Sequence, residues 1–307
     1  MVAAPAEPKP GAWAATSITY RNLATLPTIV RNYEQTYNPT YTNALLIIPQ
    51  YNLTERLYVR AWQYSNFEIT NADDTTHKNE WVLSDTVLTL GGAIYKNKDI
   101  GLSLSLGANL ALPTSKASQA RTLQFGLGIG GGAAWTYKAV SLSFASRATG
   151  NVFRSQIGEI EKPWLSSCAG VAQGCDPFVT TGRRNAAATL LNIGSFSWNA
   201  TERLGFSVGA GMIHSLLYGL PSGVVQTATG PVDISPQSNN ANYRVLMYWS
   251  LGVDIQLIKG LSLGAGAETY NPQLTLASNY ETPFINRYTS IYVDLALSPE
   301  KLWQSLK

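Results

Sequence analysis

From Leu123 to Tyr137 apolar residues occupy every second position. Leu123, Phe125, Leu127, Ile129, Gly131, Ala133, Trp135 and Tyr137 would share one face of a strand, and Gln124, Gly126, Gly128, Gly130, Gly132, Ala134 and Thr136 the other. The period of two predicts a long strand. Interior glycine weakens an ordinary strand, yet here four alternate glycines all face one way and the opposite face ends in Trp135 and Tyr137. The same alternation recurs along the chain. Leu102, Leu104, Leu106, Ala108, Leu110 and Leu112 alternate with Ser103, Ser105, Gly107, Asn109 and Ala111, and Leu204, Phe206, Val208, Ala210 and Met212 with Gly205, Ser207, Gly209 and Gly211.

Read this way, the chain predicts about 12 strands, with 10 or 14 as the neighbouring even counts. They fall near residues 16–23, 40–49, 57–67, 85–94, 101–112, 123–137, 140–151, 185–198, 204–212, 243–257, 261–270 and 288–297. In the eighth the apolar face switches between Ile193 and Phe196, which predicts a bulge there. The links alternate short and long. A soluble barrel would hide its apolar face inside and show charge outside, whereas here the greasy face runs on from strand to strand with few charges. The expected fold is all-β, a transmembrane antiparallel up-and-down barrel, because strands can cross a bilayer only when closure pairs every backbone group. The turn Pro49-Gln50-Tyr51-Asn52-Leu53-Thr54-Glu55-Arg56-Leu57 resembles the short periplasmic turns of bacterial outer-membrane β-barrel proteins, where a strand ends on an aromatic and restarts after a polar link. That porin-like resemblance implies a Gram-negative outer membrane, with both termini periplasmic. The chain departs from it at the end: such barrels commonly finish on an aromatic, while Leu297 is followed by Ser298-Pro299-Glu300, which reads as a short helix start.

Composition agrees with a barrel. Charged residues are 13% of 307, about half the share usual in soluble domains, and mean hydropathy is −0.04. No run of about 18 apolar residues could cross as a helix. A net charge of +3 is too even to suggest nucleic acid. The expected organisation is a flexible Pro-rich periplasmic tail over 1–13, the barrel over 14–298 and a short periplasmic extension over 299–307. Cys168 and Cys175 stand in one long loop and are expected to pair if the compartment oxidises them.

Chemistry inside the barrel rests on the inward-facing positions. The candidate lumen-lining residues are Tyr58, Arg60, Trp62, Tyr64, Arg147, Arg244, Tyr248, Asp254, Glu268, Tyr270, Tyr292 and Asp294, with Arg21 and Asp85 also counted as inward charges. Large side chains on one wall oppose Gly, Ser and Ala on the other, so the interior is expected to be narrow or filled. Glu268 and Asp254 near Arg244 read as a network of ion-paired struts in place of a filter of one sign. Asp73, Asp74 and Glu80, with Asn71 and Asp85 close by, could offer oxygens to Ca²⁺, but their spacing is not that of a calcium-binding loop and a solvated polar loop is the simpler reading. The alternating glycines precede no helix and make no phosphate cradle. His214 beside Ser215 is the one place where a barrel-wall hydrolase of the outer-membrane phospholipase kind could start, and adjacent residues on a strand point opposite ways.

No cofactor or enzyme activity is expected. The leading expectation is a narrow channel or transporter for a small solute, with membrane lipid around it. The second is an occluded barrel that anchors or docks an envelope protein partner through its loops and tails, and a barrel-wall hydrolase comes third. The loop cysteines are open to a direct check: protein purified without reductant should take up no alkylating reagent at Cys168 or Cys175, and both should be labelled after reduction. Labelling without reduction would show two free thiols.

Overall fold

The alternating stretch Leu123–Tyr137 is one continuous strand, and it belongs to a closed ring. The fold is that of a computed structural model, which describes residues 11–30, 40–70, 79–161, 178–219, 224–227, 230–233, 242–272, 280 and 282–306. In chain order the ring strands are β1 (Ser17–Thr25), β2 (Tyr41–Ile48), β3 (Leu57–Glu68), β4 (Thr86–Asn97), β5 (Leu102–Leu112), β6 (Leu123–Tyr137), β7 (Val140–Phe153), β8 (Ala186–Asn199), β9 (Leu204–Leu217), β10 (Tyr243–Ile258), β11 (Leu261–Pro272) and β12 (Thr289–Leu297). Each pairs antiparallel with its chain neighbours. The ring closes where β1 meets β12, with Tyr20 opposite Leu295 and Arg21 opposite Asp294. Closure removes both sheet edges, which is the condition for strands to sit in lipid.

Burial is inverted relative to a soluble protein. Among the described residues the buried apolar side chains are only Ala24, Ala44, Ala120 and Leu123, while Leu127, Ile129, Leu142, Phe144, Val208, Leu251 and Val293 stand exposed on the outer wall. Such a surface is stable only against hydrocarbon. Aromatics collect at its two rims: Trp135 stacks with Tyr137 and Trp198 with Phe206 near the short turns, and Phe67 packs on Trp81 near the long loops. No described helix is long and apolar enough to cross a membrane.

The short turns and both ends of the ring share one rim. The opposite rim carries the long connections, and these hold more regular structure than the sequence suggests. Glu80–Leu83 adds to the end of β3, Ile157–Glu161 pairs with Phe178–Arg184, and Val224–Thr227 pairs with Gly230–Asp233. Helix α1 (Leu26–Ile29) follows β1, and α2 (Lys116–Ala120) lies between β5 and β6.

The bulge expected between Ile193 and Phe196 does not form. The register of β8 with β7 and β9 runs unbroken through those residues, and the irregularity falls between Ala186 and Ala188. Ile193 simply faces inward, beside Gly211, where a Cβ would come within 2.9 Å of its Cγ1. A missing side chain on the neighbouring strand makes room for an apolar one, so the strand keeps its phase.

The chain ends are tied to the short-turn rim. Helix α3 (Pro299–Ser305) begins after Ser298, whose N–H donates to the Gly260 carbonyl at 2.7 Å. The end of the tail is held as well: the Trp13 N–H donates to a Glu300 carboxylate oxygen at 3.1 Å, and the Asn52 side chain donates to the Gly11 carbonyl at 3.0 Å. Residues 11–13 therefore dock on the barrel, against the expectation of a free tail over 1–13, whose first ten positions lie outside the described residues.

Gly260 makes that rim compact. Its φ is +89°, and a Cβ there would fall 2.5 Å from the Leu302 nitrogen and 2.9 Å from the Ser298 oxygen. Gly260→Ala should thus push α3 off the turn and leave the ring folded. Limited proteolysis should then cut after Leu297 while the band's shift on heating in detergent gels stays as in the unaltered protein. An undisturbed C-terminus would mean that the helix is held elsewhere.

Candidate functional site

The face opposite the apolar wall is the inner one, and two unlike surfaces divide it. The first is bulky and charged, spread over β10, β11, β12, β1 and β3. The Arg21 guanidinium donates twice to Asp294, Nε to Oδ1 at 2.8 Å and Nη2 to Oδ2 at 2.7 Å, and its Nη1 donates to Glu268 Oε2 at 2.9 Å. This two-pronged geometry suits the planar guanidinium and orients all three side chains. The same guanidinium lies 4.1 Å from the centre of the Tyr292 ring. Tyr292 in turn lies over Gly266 and Gly252, where added Cβ atoms would come within 2.5 Å and 2.9 Å of its hydroxyl. The rings of Tyr248 and Tyr270 are 4.6 Å apart between centroids, and Trp62 stacks on Tyr64 at 6.2 Å. Asp254 faces Gly264 across the β10 and β11 ladder, close to Asp294.

The strut network therefore exists with a different cation. The sequence grouping assigned Arg244 to Glu268 and Asp254; in the fold, Arg244 stands opposite Ser215 near the long-loop rim. Glu268 faces Ser250, about 20 Å further along β10, well beyond the reach of an ion pair. Arg21 takes the role because closure brings the first strand against the last. Its partner Asp294 is 273 positions away, so no local pattern could have linked them.

The second surface is smooth. Across β3 to β7 two adjoining rows of inner residues run side by side. One reads Tyr58, Gly91, Gly107, Gly130, Arg147, each directly opposite the next, and the other Arg60, Thr89, Asn109, Gly128, Thr149. Three glycines in line form a floor, with backbone exposed where side chains would otherwise stand. Tyr58 lies over Gly91, where a Cβ would come within 2.7 Å of its hydroxyl. Thr89 donates to Asn109 Oδ1 at 2.7 Å, which leaves the Asn109 amide nitrogen as a donor. Arg60 leans on the Tyr58 ring at 5.4 Å, and Arg60 and Arg147 are close enough to interact electrostatically. Sequence alternation identified both arginines, but not the glycine row between them. At the short-turn mouth a polar cavity of about 320 Å³ is lined by Ser207, Asp254, Gln256, Ser262 and Lys301 among others.

The remaining candidates are less connected. Glu80 pairs with Lys116 at 3.0 Å, and Asp85 accepts from the Ser115 N–H and the Ser118 hydroxyl at the start of α2. Asp85 is thus engaged with the start of α2 at the long-loop rim. Asp73 and Asp74 lie outside the described residues, as do Cys168 and Cys175; among the described residues no three His, Cys, Asp or Glu gather as for a metal. His214 stacks on Tyr243 and shares a hydrogen bond between Nδ1 and the phenol, at the edge of an apolar depression on the outer wall. Ser215 is buried on the other side of the strand, so the two do not form a nucleophile and base.

No protein-family model matches the chain, and no curated protein does. Solved structures do resemble it. The COG4313 outer membrane channel from Pseudomonas putida F1 superposes with a TM-score of 0.56 at 10% identity, covering 96% of this chain and 99% of that one. The NanC porin follows with 0.47 at 9% identity over 92% and 98%, and LpxR from Salmonella typhimurium with 0.40 at 9% over 92% and 99%. At such identities the likeness is one of fold, that of a bacterial outer-membrane β-barrel.

Arg21 also locks the ring at its closure. Replacing it with Met leaves Glu268 and Asp294 facing each other without a cation, which should cost about 3 kcal/mol. The unfolding midpoint in detergent should fall accordingly, and adding Glu268→Gln and Asp294→Asn should restore most of it. Equal midpoints for Arg21→Met and the unaltered protein would remove the network from the stability of the barrel.

Proposed function

We propose that this outer-membrane β-barrel is a narrow channel for a small polar solute, with its short-turn rim and both termini on the periplasmic side. The observation that carries this reading is the division of the inner face. Bulky tyrosines and charges gather on β10–β12, β1 and β3, while the wall from β4 to β9 is mainly Gly, Ser, Ala and Asn. Bulky side chains confined to one part of the ring and small ones on the rest support a narrow path beside the bulky wall, and a polar cavity lies at one mouth. The resident charges are tied by Arg21, so they hold the bulky wall back from the path.

Docking of an envelope protein is the second reading, favoured by one feature. Trp303 and Leu306 on α3 are exposed at 62% and 72% on the short-turn rim, beside a chain end already fastened there. Exposed apolar side chains of this kind suit a protein contact. Catalysis is not part of either reading.

Purified protein in a planar bilayer separates the two. A channel gives discrete, reproducible current steps of small size, and a barrel that serves as an anchor stays silent in the same membrane although it remains folded by its heat-dependent gel shift.

A further inference from the structure

The geometry points to a binding site for a small anion, bearing carboxylate or phosphate groups, between Arg60 and Arg147 above the glycine floor of β4, β5 and β6. It rests on the channel reading and names the class of solute for it.

The site is defined by register. Arg60 on β3 and Arg147 on β7 are separated by three strands, about 19 Å of wall, and both rise from adjoining rows of the same inner surface. Between them stand Gly91, Gly107 and Gly130 in one row and Thr89, Asn109 and Gly128 in the next, none of them charged and none larger than Asn. The charge of each guanidinium acts on the other across this uncharged floor. Like charges in a confined space are an unfavourable arrangement that an anion between them relieves. Neither arginine makes an ion pair among the described residues, whereas on the opposite wall Arg21 is tied to Glu268 and Asp294, with Asp254 beside them.

The floor adds polarity without bulk. The Asn109 amide nitrogen and the Tyr58 hydroxyl lie on the two rows that the arginines bracket, and both can donate to an anionic oxygen. Guanidiniums pair with carboxylate and phosphate in a planar, two-pronged way, and two of them set apart suit a solute with separated anionic oxygens. On the opposite wall the three carboxylates Asp254, Glu268 and Asp294 gather around Arg21, and this cluster repels the same solute and favours the floor. Passage then requires binding strong enough to enter and weak enough to leave, which a pair of half-exposed charges in a wet interior provides.

The test uses succinate and inorganic phosphate as separate probes. Calorimetric titration of the full chain in detergent at low salt should show binding of at least one of them, weakened about tenfold or more in Arg147→Met and lost when Arg60→Met is added, with partial recovery in Arg60→Lys with Arg147→Lys. Bilayer recordings in a KCl gradient should show a reversal potential on the anion-selective side that moves toward cation selectivity in the double Met variant. Succinate alone binding assigns carboxylates, and phosphate alone assigns phosphoryl groups. Unchanged binding and unchanged selectivity in a folded double Met variant would overturn the site. Current steps in the absence of binding would keep the channel and remove the site; binding by a barrel that carries no current would keep the site and remove the channel. Failure of both probes and of current would leave neither.

Discussion

Every strand of this protein depends on backbone hydrogen bonds that water cannot supply inside a bilayer, so the ring has to close, and the seam between β1 and β12 is where it does. An unpaired amide or carbonyl facing hydrocarbon costs several kcal/mol. The seam pairs residues 18–25 with residues 290–297 and turns the least patterned strand into a full member of the wall. The same seam sets Arg21 against Asp294 and Glu268, so the backbone closure is reinforced by charge-assisted side-chain contacts on the inner face. Fold and interior are thereby joined at one place: the residue that completes the ladder also organises the charges.

The inner face is built on the difference between side chains that fill space and positions that have none. On β10–β12 glycines lie under tyrosines: Gly252 and Gly266 seat Tyr292, and its ring carries Arg21. On β4–β6 the glycines of the central row carry little above them but Tyr58, which lies over Gly91. One glycine pattern therefore occurs in two settings, as a socket under Tyr292 on one wall and as a row of bare backbone on the other. The proposed channel rests on that small-residue wall, and the charges at its margins are what give the proposed passage a sign.

Much of the fold was legible because strand alternation is a local signal. Leu102 to Leu112 and Leu123 to Tyr137 state their inner and outer faces residue by residue, and the alternation of short and long links states the rims. Where the signal was mixed, local reading misjudged the cause. Ile193 looked like the mark of a bulge because an apolar residue in an inward position breaks the pattern, but the space that admits it belongs to Gly211 on the next strand. The long connections at the rim opposite the chain ends carry extra paired segments because exposed backbone still gains by extending a ladder, a choice with weak sequence marks.

The candidate site divides along the same line. Arg60, Arg147, Glu268, Asp294 and the tyrosines could be assigned to the inner face from parity alone, since a strand leaves a side chain only two directions. Partnership could not be read that way. Register between strands decides that Gly91, Gly107 and Gly130 fall in line, and ring closure decides that Arg21, in place of Arg244, holds the carboxylates. By itself the sequence determined that this chain is a membrane-spanning barrel with polar residues inside, because alternation and turn spacing act over a few residues. Only the tertiary structure decided which inner residues meet, because those contacts depend on the shear between strands and on a pairing of the first strand with the last that no short stretch encodes.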